Sequence, residues 1–385
     1  MRIALITDGI YPFVVGGMQK HSYYLCKYLS EYFKIDLYHF RRQNYDLQLK
    51  DVFPETFANI KEFEVEFKDQ YAFPFHYLLA SRNHSKKIFS LLATNDKVDL
   101  IICKGFTSWS FLFRKTKLAA TPILLNFHGY EMYQHAFTFR EKIIQKVFQY
   151  FTGKLSRRAD YCFSYGGKIT QLMKDKIGLS AMKILEFPSG IEVSQIRSVY
   201  EIHVNEKIRF CFMGRYERRK GIEELNTAIM HLPRNGRWSF DFIGEIPDHL
   251  RVDSPYVKYH GLLTKSSNIN KVLDQCDILV CPSWSEGMPN VILEAMGRGL
   301  AITATDCGAT ALLVTNETGW IIENNSAASV KSVLEKIIEI QPNQIYQKKC
   351  SALQHISDNF IWEEISGKLY KKLLEIRQFR KEKNK

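Results

Sequence analysis

The sequence predicts an α/β protein of two domains, each a largely parallel sheet flanked by helices. Three observations carry this. Short apolar runs of strand type alternate with amphipathic helical runs almost to the end of the chain. The series starts afresh at Ile208-Arg-Phe-Cys-Phe-Met213, after a polar stretch from Ser194 to Glu206. The length of 385 residues allows two or three domains, and a hydrophobic content of 45% supplies their cores.

The first series begins with Ile3 to Thr7, a loop holding Pro12, Gly16 and Gly17, and an amphipathic run from Met18 to Phe33. Further strands are predicted at Ile35 to Phe40, Val98 to Cys103, Pro122 to Phe127, Tyr161 to Ser164 and Met182 to Phe187. Together they make one Rossmann-like domain, residues 1–200. The second series adds Trp238 to Ile243, Tyr256 to His260, Asp277 to Cys281 and Leu300 to Ala304, giving a second such domain over residues 201–360. A last helical run, Trp362 to about Lys381, occupies residues 361–385.

Composition narrows the function classes. No stretch of about 18 apolar residues occurs, so a membrane span is not expected. Residues 1–9 run from one Arg straight into Gly and read as a first strand, not a signal peptide. Cysteines such as Cys26, Cys103, Cys162, Cys211 and Cys281 fall within apolar runs, without Cys-x-x-Cys or zinc-ligand spacing, as in a reduced cytoplasmic protein. Lys and Arg outnumber Asp and Glu by 53 to 41, and the formal charge of +12 favours phosphorylated ligands, nucleic acid or anionic lipid. Nothing reads as a nucleic-acid recognition helix or aromatic stacking signature, so nucleic acid is not an expected partner.

The stretch from Ser283 to Arg298 is the most informative. Strand-type Cys276 to Cys281 precedes it, and a helical pattern follows Pro289, so Glu286 sits on a strand-to-helix loop and Glu294 one turn into the helix. Such a loop aims free N–H groups and the positive end of the helix dipole at an anion. Met288, Asn290 and Val291 can donate there, next to Gly287. Glu286 and Glu294 would flank the anion and accept from sugar hydroxyls, although both also fit plain capping and solvated roles.

Other motifs leave two readings open on their own residues. Gly16-Gly17 suits either a phosphate loop or a simple turn. Gly214-Arg215 and Lys220-Gly221 follow the first strand of the second series, where a guanidinium fork and an ammonium suit a diphosphate, or are simply solvated. His128 ends an apolar run beside Gly129, either in the crevice at a sheet's carboxyl end or bonded to a loop. The run from Phe137 to Arg158 is amphipathic, with Ile143, Ile144, Val147, Phe148, Phe151 and Leu155 on one side and basic residues around it. It fits a core-facing helix or one lying on an anionic membrane.

Ser283 to Arg298 resembles the Glu-x7-Glu motif of retaining glycosyltransferases of family 4, which have the two-domain GT-B fold. Gly16-Gly17, His128, Gly214-Arg215 and Lys220-Gly221 resemble further motifs of that family, in its order. Phe187-Pro-Ser-Gly-Ile-Glu192 is similar to its Pro-Asn-Gly-Val-Asp turn, with Ser189 and Glu192 departing from it. The segments after Gly244 and from Cys307 also depart, which leaves the nucleobase undefined.

The resemblance implies two Rossmann-like domains facing across a cleft, with the terminal helix crossing back to the first. It implies transfer of a hexose-type sugar, with retention, from a nucleotide diphosphate sugar to a saccharide or lipid-linked acceptor in polysaccharide, lipopolysaccharide or glycolipid synthesis. Gly16, Gly17, Gly214, Arg215, Lys220, Glu286, Gly287, Met288, Asn290, Val291 and Glu294 would bind the donor; His128, Glu286, Arg215 and Lys220 would act at the reacting centre. No Asp-x-Asp motif is present, so neither metal nor cofactor is expected. The expected location is cytoplasmic, with any lipid contact at the inner face of the cytoplasmic membrane. Two alternatives stay open: a sugar-nucleotide epimerase of the same architecture, and a nucleotide-binding protein without catalysis.

Overall fold

The computed structural model describes residues 1–41, 46–68, 75–114, 118 and 121–383. Residue contacts divide the chain into unit 1, residues 1–188 with 362–385, and unit 2, residues 189–361.

Unit 1 holds strands β1 (Arg2–Ile6), β2 (Lys34–His39), β3 (Ile60–Glu64), β4 (Leu100–Lys104), β5 (Ile123–Asn126), β6 (Tyr161–Ser164) and β7 (Ile184–Glu186). They form one sheet in the order β3-β2-β1-β4-β5-β6-β7, and every pair is parallel. Ile3 lies between Ile35 and Leu100 in the register, and Ile3, Leu5, Ile101 and Ile102 are fully buried. A parallel sheet covered on both faces needs such unbroken apolar runs, which is why these strands are legible in the sequence. β3, Ile-Lys-Glu-Phe-Glu, is not among the predicted strands. As an edge strand it carries charge, and Glu62 is paired with Arg41 and His39.

The strand order reverses between β1 and β4, so the loops at their carboxyl ends diverge there. The loop after β1 leads into helix Gly17–Leu29. Against that helix lies the terminal helix Trp362–Lys383. The buried Trp362 ring stacks on Tyr24 and Tyr28, with centroids 5.1 and 6.1 Å apart, and Tyr28 donates to Glu363 at 3.0 Å. Farther along the same helix, Arg377 donates to Asp99 at 2.9 Å.

Helix Phe139–Arg158 starts with a capping box in which the Glu141 N–H donates to Thr138 Oγ1 at 3.1 Å and the Thr138 N–H donates to Glu141. Phe148, Phe151 and Leu155 face the core, in line with the core-facing one of the two readings. Ile143 does not: it is 51% exposed, near Phe139 at 78% and Tyr150 at 57%. The core-facing stripe is narrower than the periodicity suggests.

Unit 2 holds β8 (Ile208–Met213), β9 (Trp238–Ile243), β10 (Val257–Tyr259), β11 (Ile278–Cys281), β12 (Ala301–Thr305) and β13 (Gly319–Ile322). The sheet is parallel throughout, in the order β10-β9-β8-β11-β12-β13, with the reversal between β8 and β11. The two chain series expected from the sequence thus appear as two parallel α/β sheets. Edge strand β13 was not expected. Residues 189–200, assigned to the first domain on sequence, make their contacts in unit 2: Arg197 N–H donates to Gly297 O at 2.8 Å and its guanidinium donates to Asp274 O at 3.1 Å. Among the described residues, no helix is long and apolar enough to cross a membrane.

Candidate active site

In unit 2 the site grows from two neighbouring strands. β8 ends at Met213, and the chain runs through Gly214 and Arg215 to a helical turn at Arg218–Lys220. β11 ends at Cys281 and leads through Ser283 and Glu286 to helix Asn290–Gly297. The two loops interlock: Trp284 N–H donates to Arg219 O at 2.7 Å, and Arg219 donates to Ser285 O at 3.1 Å. Gly221, at φ +70°, permits this approach, since a Cβ there would lie 2.1 Å from Pro282 O.

The approach brings opposite charges together. Lys220 Nζ lies 2.6 Å from Glu286 Oε1, which also accepts from Ser283 Oγ at 2.8 Å. Arg219 reaches Glu286 Oε2 at 3.5 Å and Glu217 at 2.6 Å, and Glu217 in turn holds Arg215 at 2.5 Å. The result is a ladder, Arg215–Glu217–Arg219–Glu286–Lys220, of three cations and two carboxylates. Glu286 is buried, whereas the Arg215 side chain is 79% exposed.

Burial acts to lower the Lys220 ammonium, but the Glu286 carboxylate more than offsets this and leaves it above its ordinary value. Burial likewise acts to raise Glu217, and the charge of Arg219 with the bond from Arg215 takes it below the usual carboxylate range. Lys220 therefore stays cationic at neutral pH.

Gly287 O accepts from Ala309 N–H at 2.7 Å, and Gly308 packs so closely that a Cβ would lie 2.2 Å from Glu286 O. Met288 Sδ accepts from Ser189 N–H at 3.2 Å and Asn290 Oδ1 from Ser189 Oγ at 3.1 Å. At the start of the following helix, the N–H groups of Asn290 and Val291 precede any intrahelical acceptor. Glu294 is half-buried one turn farther on.

The remaining predicted residues belong to unit 1. Gly16 precedes helix Gly17–Leu29, and a Cβ on it would meet Gln19 Oε1 at 2.3 Å. His128 follows β5; its Nδ1 is hydrogen-bonded to the Tyr165 hydroxyl, and its buried Nε2 has no partner among the described residues. Burial, with the nearby Lys104 charge, holds this imidazole well below its ordinary value.

Arg219, Glu217 and Ser283 are the site residues that sequence reasoning missed. Arg219 stands in the basic run Arg218-Arg219-Lys220, and nothing in that run distinguishes the arginine that turns inward from its neighbour, which pairs with Glu224. Ser283 carried a signal, lying three positions before Glu286 on the same loop.

Two family models match the chain: Glycosyltransferase Family 4 over residues 15–195 and Glycosyl transferases group 1 over residues 207–340. An uncharacterized glycosyltransferase of Methanocaldococcus jannaschii is 25% identical, covering 96% of this chain and 97% of that one. The UDP-Gal:alpha-D-GlcNAc-diphosphoundecaprenol alpha-1,3-galactosyltransferase of Escherichia coli is 24% identical over 56% of this chain and 62% of its own. Among solved structures, sucrose-phosphate synthase from Thermosynechococcus elongatus superposes with a TM-score of 0.79 at 16% identity, over 97% of this chain and 99% of that one. Anabaena HepE in complex with UDP and glucose gives a TM-score of 0.69 at 14% identity, over 97% and 100% of the two chains. Two parallel α/β units with these matches define a GT-B glycosyltransferase. The chain belongs to the family 4, group 1 glycosyltransferases.

Proposed function

We propose that the protein transfers a hexose-type sugar from a nucleotide diphosphate sugar to a saccharide or lipid-linked saccharide, with retention and without a metal, in surface polysaccharide or glycolipid synthesis. The observation that carries this is the buried Glu286 carboxylate, held by Lys220, Ser283 and Arg219 in the loop that opens helix Asn290–Gly297. The ladder has one more cation than carboxylates, and the helix start adds N–H donors beside it.

As the sugar–phosphate bond breaks, negative charge grows on the diphosphate. Arg215 and Lys220 neutralise it with donors already in place, and the N–H groups of Asn290 and Val291 assist. Glu286 holds Lys220 and accepts from a hydroxyl of the transferred sugar, and Glu294 accepts from the ribose. Gly16 and Gly17 let backbone approach the donor phosphates, and His128 stands by the reacting sugar. The E. coli relative, whose name specifies a diphosphoundecaprenol-linked sugar, supports a lipid-linked acceptor.

Peripheral contact with an anionic membrane, at its cytoplasmic face, belongs to the same proposal. Helix Phe139–Arg158 exposes Phe139, Ile143 and Tyr150 among Arg140, Lys142 and Lys146, a composition suited to acyl chains and anionic headgroups.

Thermal melts with UDP, GDP and ADP, on the wild type and Glu294→Gln, test the donor reading. A nucleotide at 100 times its Kd stabilises the fold by about 2.7 kcal/mol. One nucleotide should raise Tm, and less so in the variant. Melts unchanged by saturating amounts of all three would remove the donor site.

A further inference from the structure

Unit 1 encloses polar side chains for which the transfer chemistry above has no use. Lys104, the last residue of β4, is fully buried, and its Nζ lies 2.8 Å from His21 Nδ1. Burial pushes its ammonium well below the ordinary value, and Asp8 opposes this at longer range, by charge alone. A lysine buried with one neutral partner is costly, and an apolar side chain of similar length would fill the same space. His21 is 2% exposed, and its Nε2, like that of His128, is buried without a partner among the described residues. The two rings meet edge to face, with centroids 5.0 Å apart and planes at 90°.

All these groups gather at the carboxyl ends of β1, β4 and β5, beside the reversal of strand order. His21 is otherwise walled by aromatic rings: Trp362 at 5.5 Å, Tyr165 at 5.7 Å and Phe187 at 5.8 Å. Such ring contacts are indifferent to which imidazole nitrogen carries the proton. Lys104 is not indifferent: when its Nζ donates to Nδ1 that nitrogen is bare and the proton stands on Nε2, whereas a lone pair on a neutral amine would accept from Nδ1–H and reverse the tautomer.

We propose that Lys104 is a positioning residue, which by donating to His21 Nδ1 fixes the tautomer and rotation of that ring, edge to face with a His128 that the Tyr165 hydroxyl holds. The unpartnered Nε2 atoms of the pair are then held ready for a sugar hydroxyl, a final step that rests on the glycosyl-transfer reading. Lys104 itself is sealed from any ligand and acts only through His21.

The test pairs ring nitrogen NMR of the ligand-free protein with transfer kinetics, comparing the wild type with Lys104→Met and Lys104→Gln. In the wild type His21 should show one bare Nδ1 and one protonated Nε2. Met cannot donate, so in Lys104→Met the His21 nitrogen shifts should move toward tautomer averaging, while His128, held by Tyr165, should keep its pattern. Gln keeps an N–H donor and should restore the wild-type pattern. If the Met variant retained wild-type shifts at His21, the positioning role would be overturned.

In the transfer assay kcat should fall about tenfold in Lys104→Met with nucleotide Kd unchanged, and recover in Lys104→Gln. Altered shifts with an unaltered kcat would also overturn the proposal. Failure of the wild type to transfer sugar from any nucleotide donor would instead sink the glycosyl-transfer reading, while the shifts would still decide the Lys104–His21 relationship.

Discussion

Lys220 Nζ and Glu286 Oε1 stand 2.6 Å apart although 66 positions separate them in the chain. The pairing exists because β8 and β11 are neighbours in the sheet and each residue sits in the loop its strand feeds. The ammonium is thereby fixed in direction before any ligand arrives. Fixed donors stabilise developing charge without reorganisation, which is the source of their catalytic value.

Removing one such donor typically costs about 3 to 4 kcal/mol in the barrier. Lys220→Ala and Arg215→Ala should each lower turnover at least about tenfold. Arg215 is 79% exposed, so its pair with Glu217 contributes little to folding, and the Arg215→Ala melt should match the wild type. Near-normal steady-state rates in both variants would refute the assigned roles.

Glu286→Gln tests the other half of the pair. The change strips Lys220 of its counter-charge in a site where the side chains are 15% and 7% exposed. Breaking a buried pair from one side costs about 3 kcal/mol or more. Urea denaturation should register that loss together with a fall in kcat; a variant as stable as the wild type would mean that water already screens the pair.

Gly308 offers a steric test. A Cβ there would fall 2.2 Å from Glu286 O and 2.4 Å from Gly287 O, at φ +58°. Gly308→Ala should cost about 2 kcal/mol or more and displace the Glu286 loop, weakening nucleotide binding. Gly261→Ala is the control, since φ is +65° but nothing lies near its Cβ, and only about 1 kcal/mol of backbone strain is expected. Equal Tm losses in the two would show that the Glu286 loop yields freely.

Asp8 makes stability depend on pH. Burial pushes its carboxyl up to about 6 from an ordinary 3.8, against opposing bonds from Tyr77 and Gln19 and the charge of Lys104. The folded state therefore binds the proton more tightly than the unfolded state, and stability falls as pH rises from about 4 to 6. Above that window the ionised group costs roughly 3 kcal/mol. Asp8→Asn should flatten this slope and melt higher than the wild type at pH 7; parallel pH profiles of Tm would contradict it.

Membrane contact is checked with vesicles. The protein should co-sediment with vesicles containing phosphatidylglycerol at low salt and release as salt rises. Phe139→Ser combined with Ile143→Ser should weaken the association, since both side chains are more than half exposed. Indifference of the wild type to anionic vesicles would end the idea.

The sequence reveals the buried strands and the Glu286 loop for a common physical reason. Central parallel strands such as Leu100–Lys104 must be apolar on both faces, and that pattern is visible one residue at a time. Edge strand Ile60–Glu64 needs no such pattern and escaped it, whereas Gly319–Ile322 is apolar but only four residues long. Pairings set by sheet order are less visible still. Arg219 joins Glu286 only because Gly221 lets one loop lie on the other, and Lys104 meets His21 only because β4 lies next to β1. Lys104 reads locally as the solvated end of a strand, and its burial is a consequence of topology.

The stacking of Trp362 on Tyr24 and Tyr28 bears on how the molecule is made. Unit 2 is one continuous piece of chain, whereas unit 1 joins residues 1–188 to residues 362–385. A ribosome delivers the whole of unit 2 before it delivers Trp362. The domain that begins first is therefore finished last, and until the final helix emerges the nascent protein exposes the aromatic surface of helix Gly17–Leu29 to chaperones and proteases.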